Sequence, residues 1–543
     1  MKSKYILPLV ALYFLSSCAE KKESNEIVQT KNRPNIIWLV AEDQSPEWFP
    51  MYGDSTISLP NLESLSKDAV IFDNAVSPVP VCAPARSSLI TGMYPSTLGT
   101  HNMRTHTPWR EVNEPSLDSL PSYSPVVPDG IKMFTEYLRK EGYYTANGPK
   151  EDYNFAKTDA AWDESSTERH WRKRKEGQPF FAVFNFSVCH ESQIWQRGKD
   201  SLYVDTETIS VPPYFPDTET VRHDMAVNYS NLKRLDDQIG EILADLKEDG
   251  LYENSIIFFY GDHGGPLPRH KRALYDTGLK VPLIIKLPKS ENAGSRDNRL
   301  ISFIDYAPTV LSFANIEPPK VMQGKAQFGH FEADKKPQYT FHTSDRFDEI
   351  YDRLRAVRSA RYKYIKSFNT NLSHALPVAY REQMPMMAEL RQRYKDGKLN
   401  ENQARWLEPT KPEEELYDLQ KDPYELENLA AKPELKDTLQ YYRAVLNDWI
   451  KETNDLGEFP ERDLMARWLV DGKQPQLAPI EIEETDIGIE LISTKSDATL
   501  VWKQPQDSVW NVYAKPIPKN TSFDAKAERI GYEDSEVLNY TAN

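Results

Sequence analysis

Asn35-Ile36-Ile37-Trp38-Leu39-Val40-Ala41-Glu42-Asp43 decides how this chain folds. An apolar run rich in β-branched residues stops at two acids, and Leu59 to Ala69 (LPNLESLSKDA) follows with apolar residues at helical spacing. That pattern predicts a strand feeding a helix. It recurs along the chain. Ile131 to Lys140 reads as helix and Tyr143 to Ala146 as strand, Phe180 to Phe186 as strand, Asp224 to Glu248 as a long amphipathic helix and Ser255 to Tyr260 as strand. Val281 to Leu287 and Phe303 to Ala314 add another strand and helix. Strands alternating with helices imply an α/β fold with a mostly parallel, buried sheet sandwiched by helices. Ligands of such sheets sit at the carboxyl ends of strands. Glu42-Asp43 and Asp262-His263 both fall just past strand ends, so they are expected to meet in space.

The chain has 543 residues, 39% apolar, 27% charged and 11% aromatic, with a mean hydropathy of -0.64. Those values exclude a membrane bundle and a disordered chain. At this length one large domain with smaller additions is expected. The large α/β domain takes residues 34–335. From 336 the character shifts, with Tyr362 to Ile365 as strand and Tyr380 to Leu407 and Pro433 to Thr453 helical, giving a smaller α+β subdomain over 336–475. Residues 476–543 read as a β-sandwich-like accessory segment in which Trp502 and Trp510 serve either as core or as sugar contacts. Lys and Arg number 66 against 82 Asp and Glu, a formal charge of -16. A nucleic-acid partner is therefore not expected, and an anionic substrate requires a local basic pocket.

The N-terminus carries an address. Lys2 and Lys4 precede an apolar stretch from Ile6 to Leu15, too short to span a bilayer but suited to a signal peptide. Leu15-Ser16-Ser17-Cys18 resembles the bacterial lipobox, which implies a lipoprotein signal over 1–17, a lipid on Cys18 and a polar tether over 18–33. The expected location is the bacterial cell envelope, lipid-anchored rather than spanning. An ordinary secretory peptide cut nearby is the alternative. Cys18, Cys82 and Cys189 are the three cysteines, so with Cys18 given to lipid one disulfide at most remains, Cys82 to Cys189.

Cys82-Ala83-Pro84-Ala85-Arg86 fits C-x-P-x-R and continues as Ser87-Ser88-Leu89-Ile90-Thr91-Gly92. A lone cysteine is commonly a small buried hydrophobe, but a motif of this length points to chemistry. It resembles the maturation signature of type I formylglycine-dependent sulfatases, of the alkaline phosphatase-like superfamily. The resemblance implies that a maturation enzyme oxidises Cys82 to formylglycine (3-oxoalanine). One oxygen of the hydrated aldehyde would attack sulfur, and the remaining hydroxyl would later expel sulfate and restore the carbonyl.

The resemblance covers about residues 34 to 455 and is nearest the N-sulfoglucosamine sulfohydrolase branch. It rests also on Arg33-Pro34-Asn35-Ile36-Ile37 with Glu42-Asp43, on Tyr260-Gly261-Asp262-His263-Gly264-Gly265, and on the stretch Leu416 to Leu429 (LYDLQKDPYELENL). It implies one calcium ion held by Glu42, Asp43, Asp262, His263 and residue 82, a hard cation among hard oxygen donors. Two positions depart from the family pattern, which has aspartate where Glu42 stands and asparagine where His263 stands. Three roles stay open for His263: a nitrogen ligand, a shift of preference toward a transition metal, or a contact to sulfate.

The resemblance further implies a ring of cations. Arg86, one helical turn from Cys82, would stabilise the developing alkoxide. Lys150 and Lys271 match sulfate-binding lysines, and His190 matches the histidine at the leaving oxygen. Asp152 stands where the family often has histidine, which leaves the base for sulfate elimination open. His101, Arg104 and His106, with His342 and Arg346 from the smaller subdomain, are expected to rim a pocket for a charged saccharide. The expected reaction is hydrolysis of sulfate esters or N-sulfates on oligosaccharides of a sulfated polysaccharide. The rivals are a phosphonate or phosphate ester hydrolase of the same superfamily, and an inactive sugar-binding lipoprotein that keeps the Cys82 thiol.

Overall fold

A computed structural model describes residues 33–106, 121–148 and 150–542 of the chain. The leader, Cys18 and nearly all of the tether lie outside the described residues. Eight strands form the main sheet: β1 (Asn35–Ala41), β2 (Val70–Val76), β3 (Tyr144–Asn147), β4 (Glu164–Ser165), β5 (Phe180–Phe186), β6 (Ser255–Gly261), β7 (Leu283–Lys286) and β8 (Arg296–Ser302), in the order β4-β3-β5-β1-β6-β7-β2-β8. β1 is flanked in parallel by β5 and β6, with Ala41 opposite Phe186 on one side and Gly261 on the other. β7 runs antiparallel to both β6 and β2, so the sheet is mixed but mostly parallel. The reason lies in the preceding segment: residues 262–282 hold only the short helical turn Asp276–Leu279. A parallel return needs a full crossover, usually a helix.

Alternate residues of β1 face two different cores. Ile37, Leu39 and Ala41 pack beneath the long helix Glu219–Glu248, with Met225, Leu232 and Ile239. Ile36, Trp38 and Val40 pack beneath the helices Phe134–Lys140 and Tyr306–Phe313, with Phe134, Leu138 and Val310. Both faces are dry, which is why the strand sequence is apolar throughout rather than alternating. Trp38 is 3% exposed and meets Phe181 and Tyr260 edge to face at 5.0 and 5.5 Å. Its loss to alanine is expected to cost about 3–5 kcal/mol, the range for buried aromatics. The long helix starts where Thr218 accepts a hydrogen bond from the Val221 amide at 3.3 Å, a side-chain N-cap.

β9 (Thr340–Phe347), β10 (Ile350–Arg358), β11 (Tyr362–Ser367) and β12 (Glu414–Asp418) form an antiparallel sheet, backed by the helix Lys436–Glu452 through Leu439, Tyr442, Leu446 and Trp449. Further on, the hairpin β13 (Glu481–Thr485) and β14 (Gly488–Ile492) shares a small core with a second antiparallel sheet. That sheet comprises β15 (Thr499–Lys503), β16 (Asn511–Val512), β17 (Phe523–Glu528) and β18 (Leu538–Tyr540). Trp502 packs on this core, while the Trp510 carbonyl accepts from Arg139 at 2.5 Å. Among the described residues no helix is long and apolar enough to cross a membrane. Cys82 and Cys189 are both free and buried, so the one disulfide that the cysteine count permits is not formed.

Candidate active site

The site is built where β1 and β6 end side by side. Asp43 leaves β1 with φ at 53°, a left-handed conformation that non-glycine residues adopt at a cost, commonly at functional positions. Its amide donates to Asp262 Oδ1 at 3.0 Å, and the Asp262 amide donates to the Ala41 carbonyl at 3.0 Å. The two strand-end acids thus meet as the sequence pattern predicts. Both are 0% exposed.

Cys82 opens the helix Cys82–Thr91, every residue of which is buried. Its sulfur lies 3.3 Å from His263 Nε2, 3.5 Å from Lys271 Nζ and 3.9 Å from Asp43 Oδ1. Burial pushes the thiol up, but the charges of Lys150 and Lys271 prevail and bring it down to about 6. His263 is held on its other edge, Nδ1 to the Gly264 carbonyl at 2.9 Å. Burial lowers its basicity, yet the carboxylates of Asp262 and Asp43 outweigh that and raise it to about 10.

Lys271 occupies the far side. Its Nζ donates to both Asp43 oxygens at 3.0 and 2.9 Å and stands 3.4 Å from His190 Nε2 and 3.3 Å from Glu191. Glu191 in turn is gripped by both Arg272 guanidinium nitrogens at 2.8 and 2.9 Å, while its own amide donates to Asp43 Oδ2 at 2.7 Å. Arg272 continues to Asp348 at 2.6 Å, and Asp348 to Arg104 at 3.5 Å. A continuous chain of alternating charge therefore runs from the reacting centre to the β9–β10 turn.

On the near side Arg86 donates to Asp262 Oδ2 at 3.0 Å and to Asn185 Oδ1 at 2.7 Å. Lys150 Nζ sits 2.8 Å from Glu42 and 4.0 Å from Asp152. Asn185 also donates to the Lys150 carbonyl at 3.2 Å, tying the lysine loop to β5.

Asp43, Cys82, Asp262 and His263 place one donor atom each within 4.8 Å of one another, all buried. Two carboxylates whose field draws a proton onto a buried imidazole make a place for positive charge, and this donor set fits a divalent cation. Glu42, next to Asp43 in the chain and 1% exposed, sets its carboxylate 2.8 Å from Lys150 and 3.6 Å from Arg86 at the edge of this set.

Cys82, Arg86, Asp43, Asp262, His263, Lys271, His190 and Lys150 are brought together in this way. The predicted saccharide rim is not. His342 is 0% exposed with both ring nitrogens engaged, by Thr340 at 3.0 Å and the Ser77 carbonyl at 2.9 Å. Arg346 is equally buried and clamped by Glu461 at 2.6 Å. His101 is 1% exposed, and His106 is an exposed loop residue. Arg104 alone of this group reaches the site, through Asp348. The sequence reading missed Glu191, Arg272 and Asn185. The one available signal was adjacency, since Glu191 follows His190 and Arg272 follows Lys271.

The sulfatase family model matches residues 34–316, and that of the N-sulphoglucosamine sulphohydrolase C-terminal region matches residues 268–407. The chain belongs to the sulfatase family, enzymes that hydrolyse sulfate esters and as a family use formylglycine and a divalent metal. It is 38% identical to an ulvan-active sulfatase of Formosa agariphila, over 98% of this chain and 97% of that one. It is also 24% identical to human N-sulphoglucosamine sulphohydrolase, over 78% of this chain and 90% of that one. Among solved structures, one bound to its substrate D-glucosamine-2-N,6-O-disulfate shares the fold at a TM-score of 0.56 and 16% identity, covering 78% of this chain and 98% of its own. A phosphonate monoester hydrolase of Silicibacter pomeroyi shares it at 0.54 and 17%, covering 85% and 99%. Fold alone therefore does not separate sulfate from phosphonate chemistry; the family match does.

Proposed function

We propose that this sulfatase releases sulfate from oligosaccharides of a sulfated polysaccharide, with formylglycine made from Cys82 and a calcium ion held by Glu42, Asp43, Asp262, His263 and residue 82. The observation that carries the reading is the Cys82 sulfur, clustered with the carboxylates of Asp43 and Asp262 and lying 3.3 Å from the His263 imidazole and 3.5 Å from the Lys271 ammonium. The ulvan-active relative and the neighbour bound to a sulfated glucosamine support a carbohydrate substrate. Two carboxylates support a hard, oxygen-seeking cation.

When present, the aldehyde hydrate supplies a nucleophilic oxygen and the metal polarises the sulfate. The chain's own residues do the rest. Arg86 is oriented by Asn185 and Asp262 and keeps a fixed positive charge beside residue 82. Burial opposes the charge on Lys271, but Asp43 and Cys82 overcome it and hold the ammonium well above its usual range. Lys271 therefore acts as a charge, and His190 beside it is the group that exchanges a proton with the departing oxygen.

The leader from Lys2 to Cys18 supports export and a lipid anchor in the bacterial cell envelope. Three measurements test the reading. The Cys82 peptide should be lighter by the exchange of sulfur for oxygen, and an intact thiol in fully active protein would refute it. Sulfate should be freed from sulfated oligosaccharides, and aryl phosphate turned over more slowly than aryl sulfate. Fatty-acid labelling should vanish in Cys18→Ala.

A further inference from the structure

Two aromatic side chains outside the reacting centre stand near His190, linked to it through ring contacts. Trp195 lies on the short helix Ser192–Gln196 that follows His190, and Tyr380 comes from the far side of the fold, just before the turn Arg381–Gln383. Their rings meet edge to face, with centroids 5.2 Å apart at 77°, and the Tyr380 ring lies 6.1 Å from that of His190. The Tyr380 ring thus neighbours both the histidine and the tryptophan. Both aromatics are half-buried rather than enclosed. Among the described residues no protein group hydrogen-bonds the Trp195 indole nitrogen or the Tyr380 hydroxyl.

The pair is rigidly mounted. Trp195 packs against the core beneath the long helix, and Ile194 beside it is 0% exposed. Arg381, adjacent to Tyr380, is 2% exposed, donates to the Leu376 carbonyl and lies over the Trp406 ring at 5.0 Å. This half-exposed aromatic corner keeps its indole and phenol donors open to solvent. Its chemistry matches a sugar ring, which presents an apolar C–H face to an aromatic surface and hydroxyls to indole and phenol groups.

We propose that Trp195 and Tyr380 form the subsite that receives the sugar ring whose oxygen departs beside His190. The inference rests on the carbohydrate reading above and names the residues that recognise the sugar rather than the sulfate.

The test is steady-state kinetics on sulfated oligosaccharides with Trp195→Ala, Tyr380→Ala and the conservative Trp195→Phe and Tyr380→Phe. Each alanine variant is expected to raise KM roughly tenfold, the scale of one aromatic contact. The effect should fall on KM rather than kcat, and phenylalanine should restore most of it. Tryptophan fluorescence gives a readout that does not depend on turnover. A desulfated oligosaccharide should change the emission of the wild-type enzyme, and the change should be absent in Trp195→Phe. An unaltered KM in both alanine variants would overturn the subsite, as would a fluorescence response retained in Trp195→Phe. A wild-type enzyme that hydrolyses aryl sulfates but no sulfated oligosaccharide would instead defeat the carbohydrate reading itself, so the two failures are distinguishable.

Discussion

The Cys82 sulfur lies 3.3 Å from His263 Nε2, and the same nitrogen stands 3.0 Å from Asp43 Oδ1. Nitrogen is a poor partner for calcium and a good one for zinc. His263→Asn is therefore expected to keep a stoichiometric metal while moving the calcium-to-zinc preference roughly tenfold toward calcium, the scale on which changes around a metal act. Elemental analysis after loading from mixed ions checks this.

Cys82→Ser presents an oxygen but no aldehyde. Sulfate release is expected to fall by at least about 10^3-fold, in keeping with the loss of a covalent nucleophile. Metal content should be preserved, because Asp43, Asp262 and His263 remain. Turnover and elemental analysis on one preparation separate the two effects.

Arg272 lies between Glu191 and Asp348, both buried. Arg272→Met leaves two carboxylates without their shared cation. The expected loss is about 3–5 kcal/mol, as for breaking one side of a buried ion pair. Thermal and denaturant unfolding measure it, and sulfate release should drop as well, since Glu191 also touches Lys271.

Glu461 is buried, which alone would raise its pKa, but Arg346 holds the carboxylate down to about 2. The stabilisation is therefore complete above the unfolded glutamate value and is lost as pH falls through about 2. Glu461→Gln is expected to be less stable at neutral pH by on the order of 3 kcal/mol and to show a flatter loss of stability between pH 4 and 2. Denaturant titrations across that range test the sign.

Deletion of residues 476–543 should lower the melting temperature. The segment is fastened to the main domain by Glu528, which accepts from the Ala160 amide at 2.9 Å, and by Arg529, which donates to the Val127 carbonyl at 3.0 Å. Ile530 belongs to the core that holds Trp38. Differential scanning calorimetry of the truncated chain, with sulfate release in parallel, would show whether its role is purely structural.

Much of the fold was legible because its central strands are buried on both faces and so read as unbroken apolar runs. β2 was not. Its sequence, VIFDNAV, is interrupted by Asp73 and Asn74, which turn to Arg296 and Arg358. β8 begins with four polar residues, Arg296 to Arg299, that alternate between exposed and half-buried. Asp43 and Asp262 could be placed together because strand ends gather in parallel sheets. His342 and Arg346 could not be read correctly. Their partners Ser77 and Glu461 lie more than a hundred residues away, and a buried polar strand resembles a loop until those partners are known.

The alternating chain from Lys271 through Glu191, Arg272 and Asp348 to Arg104 also governs how this enzyme can be re-engineered. Replacing any one member strands its neighbour, so a library that varies these positions singly should return mostly inactive clones. Charge-swapped pairs, changed together, are the moves open to a designer who wants a different substrate in this cleft.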